Sequence, residues 1–338
     1  MSRLRVAVLM GGTSAERDVS LSTGRQILNS LDPDRYEVYA LDTASGQKFL
    51  PAGVTAHLET MTASDTSAPI TSLVHLPQVA ADRRPDVVFI ALHGPGGEDG
   101  TVQGMLELLG LPYTGSGVLA SALAMDKAMS KRVLTGAGVP MPRDVTLKRG
   151  ETTHQAQLTD TLLPVVVKPS RQGSTIGMSI IQHAADLPAA LETAFTHDDT
   201  VLVEQFIQGT EITVPVLGNA DLEVLPIVEI VPAGGFYDYA AKYTAGATDE
   251  IVPARIPEYA AAEARRLALL CHRTLGCRGM SRTDMIVTPD GDIYTLEVNT
   301  IPGMTPTSLL PRAAEAAGIP FPRLLDRLID LALEGRTE

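Results

Sequence analysis

Apolar residues run along this chain in two rhythms. Residues 4–10 form a short β-branched and aliphatic run that stops at Gly11-Gly12-Thr13-Ser14, and residues 16–31 then carry apolar positions at helical spacing. The same strand, loop and helix pattern recurs at residues 86–92, His93-Gly94-Pro95-Gly96-Gly97 and residues 102–109. Repetition of this unit predicts an α/β domain on a mostly parallel sheet. Between the units, residues 43–85 are rich in Thr, Ser, Ala and Pro with weak periodicity, and read as a loosely structured insertion.

Further on, one helix is expected from residue 121 to about 136, broken by Gly136-Ala137-Gly138-Val139-Pro140 at the entry to a second domain. Short strands at 163–167, 178–181, 201–206 and 211–217, with a helix at 186–195, predict a small α+β lobe. The last third alternates strands with helices at 257–275 and 321–333 and carries a Gly/Ala/Tyr-rich loop near 234–248. The division expected is an N-terminal domain at 1–122, a central lobe at 123–209 and a C-terminal lobe at 210–338, a length that suits two or three cores.

Composition narrows the function. Asp and Glu outnumber Lys and Arg by 40 to 27, with no long basic block, so nucleic acid is not an expected partner. Cys271 and Cys277, six positions apart, suit neither a disulfide framework nor a Cys-x-x-Cys metal clip, which fits a reducing cytoplasm. The apolar run at 4–10 is too short and wrongly flanked for a signal peptide, and no stretch approaches the roughly 20 apolar residues of a membrane helix.

Candidate chemistry begins at Asp290-Gly291, a strong hairpin signal. Pairing Pro289 with Asp292 sets Asp284 opposite Glu297, with Asn299 on the same face and Met285, Val287, Tyr294, Leu296 and Val298 on the other. Two carboxylates directly opposite repel unless a cation lies between them. Asp, Glu and Asn oxygens suit Mg²⁺, which typically uses few carboxylates plus substrate phosphates. A solvated hairpin face is the plain alternative.

Residues 165–167 form an apolar strand ending in Lys168 and opening the glycine-rich turn Pro169-Ser170-Arg171-Gln172-Gly173-Ser174-Thr175-Ile176-Gly177. Such a loop can line a phosphate, with Lys168 as point charge and Ser174 as hydroxyl, or be a simple hairpin loop. No G-x-x-x-x-G-K-[ST] exists, which excludes a Walker-type loop. Gly115-Ser116-Gly117-Val118-Leu119-Ala120 matches G-x-G-x-x-A but lacks an acid about 20 positions later to hold a ribose, so a dinucleotide site carries little weight. Glu16 lies where a strand hands over to a helix, as an amine-binding acid or a first-turn carboxylate favouring the helix dipole. Residues 299–309 run into a loop and helix whose N–H groups could hold an oxyanion or carboxylate, or that simply caps the helix at Ser308. His93 and Lys127 read plainly as a loop histidine and a solvated lysine.

Taken together, Gly11-Gly12-Thr13-Ser14-Ala15-Glu16, Leu92-His93-Gly94, Met125-Asp126-Lys127, residues 168–178, Phe236-Tyr237-Asp238-Tyr239, Lys242-Tyr243 and residues 297–308 resemble, in order, the D-alanine–D-alanine ligases of the ATP-grasp enzymes. The resemblance implies a three-domain ATP-grasp fold: an N-terminal Rossmann-like parallel sheet, a small central α+β lobe and a C-terminal α+β lobe. It implies ATP between the last two lobes, with Lys127 and Lys168 on its phosphates, Glu204, Gln205, Phe206 and Ile207 beside the adenine, and Glu211 on the ribose. Asp284, Glu297 and Asn299 would hold two Mg²⁺ or Mn²⁺ ions, and Lys242 would help neutralise the transferring phosphoryl group.

By the same resemblance, Glu16 would bind the ammonium of a first D-alanine and form a link between lobes with Ser174 and Tyr243. Arg282 and the Gly303 N–H would stabilise a tetrahedral oxyanion. Ser308 and the Leu309 N–H would hold the second D-alanine's carboxylate, with His93 near the first. Tyr243 favours the dipeptide over D-alanyl-D-lactate. The chain departs from the commoner family pattern at Ala240, where Glu often stands, and at Phe206, where Trp is common, which bears on the loop and the adenine pocket. A cytoplasmic homodimer is implied. A nicotinamide-dependent dehydrogenase would leave the Asp284–Glu297 face unexplained, and a nucleotide sensor has no need of Arg282 and the Gly303 loop. A ligase taking D-lactate or D-serine second is the nearer alternative.

Overall fold

The computed structural model describes residues 3–44, 48–49, 84–150, 163–233, 246–305 and 307–334. Most of the 43–85 insertion, the Phe236–Tyr239 motif and the Lys242-Tyr243 pair therefore lie outside the described residues.

The first sheet has the order β3-β2-β1-β4, from Lys48–Phe49, Tyr36–Asp42, Leu4–Met10 and Val87–Ile90. β1 pairs parallel with β2 and with β4, as the repeated strand, loop and helix units predict. Strand β2 was not foreseen. Helix α1 (Arg17–Ser30) turns Val19, Leu21, Ile27 and Leu28 inward, and α2 is Thr101–Leu108. The chain leaves the carboxyl ends of β1 and β4, its neighbour, through glycine-rich loops, and this is where an open α/β sheet presents a crevice. Gly11 has φ +78°, and a Cβ there would meet Asp42 Oδ1 at 2.2 Å. A side chain is excluded because Arg17 and Asp42 form a buried ion pair at 2.8 Å against that turn.

Asp126 divides the single helix expected over 121–136 into α3 (Val118–Met125) and α4 (Lys127–Gly136). Its backbone is extended, ψ 93°, and its carboxylate accepts the Met129 N–H as an N-cap. Ser170 fastens the break: its hydroxyl donates to Asp126, and its carbonyl accepts the Lys127 N–H. An uninterrupted helix would have carried Lys127 elsewhere.

The second sheet, β5-β8-β6-β7, is antiparallel and comprises Asp144–Lys148, Thr200–Gln205, Val165–Pro169 and Ser179–Ile181. Val165, Val167, Val201 and Val203 bury against helix α5 (Leu187–Phe195). The third sheet runs β12-β11-β9-β13-β14, from Thr248–Ile251, Val228–Pro232, Thr210–Gly218, Gly279–Val287 and Ile293–Asn299, with β10 (Glu223–Val224) on β9. Helix α6 (Glu258–Leu275) covers it, with Ala260, Ala264, Leu267, Ala268, Cys271 and Leu275 on its buried face. Helices α3 and α4 join that core through Ala120, Ala124 and Leu134. Helices α7 (Leu309–Ala316) and α8 (Phe321–Leu333) return to the core of the first sheet. Both cysteines are buried free thiols, and among the described residues no helix is long and apolar enough to cross a membrane.

The β13–β14 hairpin sets Asp284 opposite Glu297 as expected, by a different route. Val287 pairs with Ile293, so the turn is longer than Asp290-Gly291 alone, and a slip after Asp284 makes Leu296 an extra residue. The two departures cancel at Glu297. Between them they reverse the faces of β14: Ile293 and Thr295 are buried with Met285 and Val287, while Tyr294 pairs with Ile286 and Leu296 lines the cleft. Tyr294 and Leu296 were expected on the core side; a bulge re-aims side chains in this way.

Candidate active site

Two cavities adjoin between the sheets. The larger, about 410 Å³, is lined by Val166, Lys168, Ile180, Glu204 to Gly209, Glu211, Asp284, Ile286 and Leu296. The smaller, about 100 Å³, is lined by Glu16, His93, Glu98, Arg282, Asn299, Gly303, Ser308 and Leu309. Lys127, Gly173, Ser174 and Glu297 line both. Every expected site residue outside the undescribed Lys242 and Tyr243 therefore lines one of the two.

In the larger cavity, Val166, Ile180, Ile286 and Leu296 form apolar walls and charges gather at one end. Glu204, 3% exposed, lies between Lys168 and Lys131, with Lys131 Nζ at 2.7 Å from its carboxylate. Burial opposes the Lys168 ammonium, but Glu204 and then Glu297 outweigh it and hold its pKa above the ordinary lysine value. Burial likewise opposes charge on Glu204, and Lys168 and Lys131 outweigh it, so the carboxyl titrates below its usual range. Lys131 also reaches Asp144 at 3.2 Å and was missed in the sequence. The signal was available: it follows Lys127 by four positions on a helix and so shares its face.

Asp284 is held from three sides. Arg282 Nε and NH2 donate to its two oxygens at 2.9 and 2.8 Å, Asn299 Nδ2 donates at 3.1 Å, and the Thr213 hydroxyl donates at 2.5 Å. Glu297 pairs with Lys127 Nζ at 3.1 Å, and Lys127 also donates to the Gln172 carbonyl at 2.7 Å. Among the described residues no group of three or more His, Cys, Asp or Glu is placed to hold a metal ion by itself. Two facing carboxylates and an amide are instead a partial oxygen set, the kind a hard divalent cation completes with phosphate.

Glu16 is 6% exposed and occupies the N-cap position of α1 without capping it. Its carboxylate instead accepts the Ser174 hydroxyl from the loop after β6. Ser174 and Thr175 have φ of +50° and +62°, left-handed conformations that are uncommon outside glycine and cluster at functional loops. A Cβ on Gly173 would lie 2.6 Å from Glu16 Oε2, so a larger residue there would displace the Glu16 carboxylate.

His93, 6% exposed, meets the Thr23 hydroxyl at 3.2 Å, and burial followed by the Arg282 charge lowers its pKa to about 4. Ser308 stands before α7 but caps the preceding loop: its Oγ accepts the Thr305 N–H at 3.0 Å. A Cβ on Gly303 would lie 2.8 Å from that Oγ, so Gly303 and Ser308 share one tight corner. Glu98, on the loop after His93, also lines this pocket and was not singled out in the sequence.

A phosphate-scale cluster of lysines and acids between two α+β lobes, with a small polar pocket against a Rossmann-like domain, is the arrangement of the ATP-grasp enzymes. Profiles described as D-ala D-ala ligase N-terminus and D-ala D-ala ligase C-terminus match residues 5–116 and 133–330. The chain belongs to that family.

Among its relatives are D-alanine–D-alanine ligases from Syntrophobacter fumaroxidans, 48% identical with 98% of each chain covered, and Pelotomaculum thermopropionicum, 45% identical with 98% of this chain and 97% of that one covered. A Bacillus anthracis D-alanine–D-alanine ligase complexed with ATP superposes with a TM-score of 0.81 at 36% identity, covering 99% of each chain. The VanG D-Ala:D-Ser ligase of Enterococcus faecalis superposes at 0.82 and 34% identity, covering 98% of this chain and all of that one.

Proposed function

We propose that this protein joins two D-alanine molecules into D-alanyl-D-alanine, converting ATP to ADP and phosphate, in the cytoplasm and as a homodimer. The observation that carries this reading is the junction of the two cavities at Lys127, Gly173, Ser174 and Glu297, which brings a nucleotide-sized slot against a pocket the size of small amino acids. The family relationship supports it.

The adenine lies along Gln205, Phe206 and Ile207 beside Glu204, the ribose at Glu211, and the phosphates toward Lys127 and Lys168. Asp284, Glu297 and Asn299 hold two Mg²⁺ or Mn²⁺ ions, whose contribution when bound is to neutralise phosphate charge. Glu16 takes the ammonium of the first D-alanine, directing its carboxylate to the γ-phosphate and giving an acyl phosphate and ADP. Lys242 and Tyr243, which lie outside the described residues, take the roles the family resemblance implies: Lys242 would support that transfer, and Tyr243 would help exclude water from the acyl phosphate.

Ser308 and the Leu309 N–H hold the carboxylate of the second D-alanine. Its deprotonated amine attacks the acyl carbonyl, Arg282 with the Gly303 N–H stabilises the oxyanion, and the oxyanion collapses with cleavage of the C–O bond to release phosphate while the new amide nitrogen loses a proton. Asp284 fixes the Arg282 guanidinium in both directions of its plane, which pre-organises that charge. His93 stays neutral beside the first substrate.

The test is ADP and phosphate release by purified protein with ATP and Mg²⁺, offered D-alanine, L-alanine, D-alanine with D-serine, and D-alanine with D-lactate, with products identified by mass. Dipeptide from D-alanine alone supports the reading. A mixed product in preference to it assigns a different second substrate, and no D-alanine-dependent release overturns the proposal.

A further inference from the structure

Glu98 has no part in the roles above, yet it reaches the small pocket beside Glu16. Its Oε2 accepts the Gly94 N–H at 2.8 Å, while a Cβ on Gly94 would stand 2.8 Å from Glu16 Oε2, so the two acids flank one glycine. The charged groups that share the pocket of Glu98 are Glu16 at the N-cap of α1, Arg282 on β13, Lys127 on α4 and Glu297 on β14, which is paired with Lys127, and neutral His93 shares its loop. Two carboxylates in one enclosed pocket resist joint ionisation unless a cation separates them. Burial, followed by the Glu16 charge, raises the Glu98 pKa to about 8, against the smaller pulls of Arg282 and Lys127.

We propose that Glu98 is the second half of the ammonium site: it stands protonated beside Glu16 in the empty pocket and ionises when the first substrate's ammonium arrives between them. The proton leaves to solvent, and the bound state holds two carboxylates and one ammonium. This rests on the placement of the first D-alanine at Glu16. A role confined to shaping the Gly94 turn is the competing account, and Glu98→Gln separates the two because the amide oxygen still accepts the Gly94 N–H.

The experiment is calorimetric titration of the full chain with D-alanine, in the presence of Mg²⁺ and a non-hydrolysable ATP analogue, in two buffers of different ionisation heat at about pH 7. The expected result is a buffer-dependent heat corresponding to about one proton released per first-site D-alanine, absent in Glu98→Gln. Wild-type affinity should rise by nearly tenfold, roughly, per pH unit up to about pH 8 and then level off, while that of Glu98→Gln stays flat. Equal wild-type heats in both buffers, or the same proton release from Glu98→Gln, would overturn the inference. Glu16→Gln distinguishes its failure from that of the underlying placement: unchanged D-alanine binding there would remove the ammonium from Glu16 itself.

Discussion

Ser174 donates its hydroxyl to Glu16 across 158 positions of sequence, joining the loop after β6 to the start of α1. Ser174 makes this bond from a left-handed backbone that a serine does not prefer. The bond and the backbone can be separated by substitution.

Ser174→Ala keeps the backbone and removes the bond. A hydrogen bond to a charged group contributes about 1.5–3 kcal/mol, so kcat/KM for D-alanine should fall roughly 10- to 100-fold. Ser174→Gly should lose as much activity but melt above Ser174→Ala, because both lose the bond and only glycine adopts positive φ without strain. Steady-state kinetics and thermal melting of the two variants check this, and wild-type kinetics in Ser174→Gly would contradict it.

Glu204→Gln leaves Lys131 and Lys168 buried against a neutral amide. Breaking a buried charge set from one side costs about 3–5 kcal/mol, which should appear as a clear drop in Tm near neutral pH. Because the folded state holds the Glu204 carboxyl below its usual range, its contribution is present above the unfolded carboxylate pKa and is lost as pH falls through the folded value. The gap in Tm between wild type and variant should therefore narrow in acid, and a gap constant with pH would show that Glu204 acts by packing alone.

Buried His93 and His272 both have pKa values lowered to about 4, in each case chiefly by burial. A histidine kept neutral by the fold contributes stability that is present above its unfolded pKa, about 6.5, and lost as pH falls toward the folded value. Their ring resonances in NMR should stay at neutral positions down to about pH 5, and Tm should decline across that interval. Titration of either ring near its ordinary value would refute the prediction for that residue.

Glu297→Gln removes one of the facing carboxylates and the partner of Lys127, and ATP turnover should fall at least about 100-fold, the scale of losing a group that acts on developing charge. Ser308→Ala should instead raise KM for the second D-alanine by roughly tenfold, the loss of one hydrogen bond to a charged group, with a smaller change in kcat. Kinetics at varied D-alanine concentration resolve the two effects. Full turnover in Glu297→Gln would remove the metal assignment.

What could be read from the chain divides along physical lines. The parallel β1–β4 pair and the α6 helix follow from local periodicity, which needs only neighbours in sequence. Facing Asp284 and Glu297 were legible because both strands of a hairpin share one turn, although the longer turn and the bulge at Leu296 cancelled only by the time the pairing reached them. The break at Asp126 was missed because the apolar spacing continues through it, while the cause, an N-cap tied to Ser170, comes from the turn after β6, 44 positions away. Lys131 and Glu98 escaped for a related reason: each gains meaning from a charge brought by another sheet or helix. Motif resemblance located the residues of the pocket, and geometry alone assigned their partners.

Glu16 stands where a serine or aspartate would cap α1, and it leaves that end without a side-chain cap. Replacing a poor N-cap by a good one typically gains about 0.5–2 kcal/mol. Selection for heat resistance by itself would thus favour substitutions at this position that empty the substrate pocket, and a directed-evolution campaign on this scaffold would drift toward a hardier but inert protein unless turnover were scored in every round.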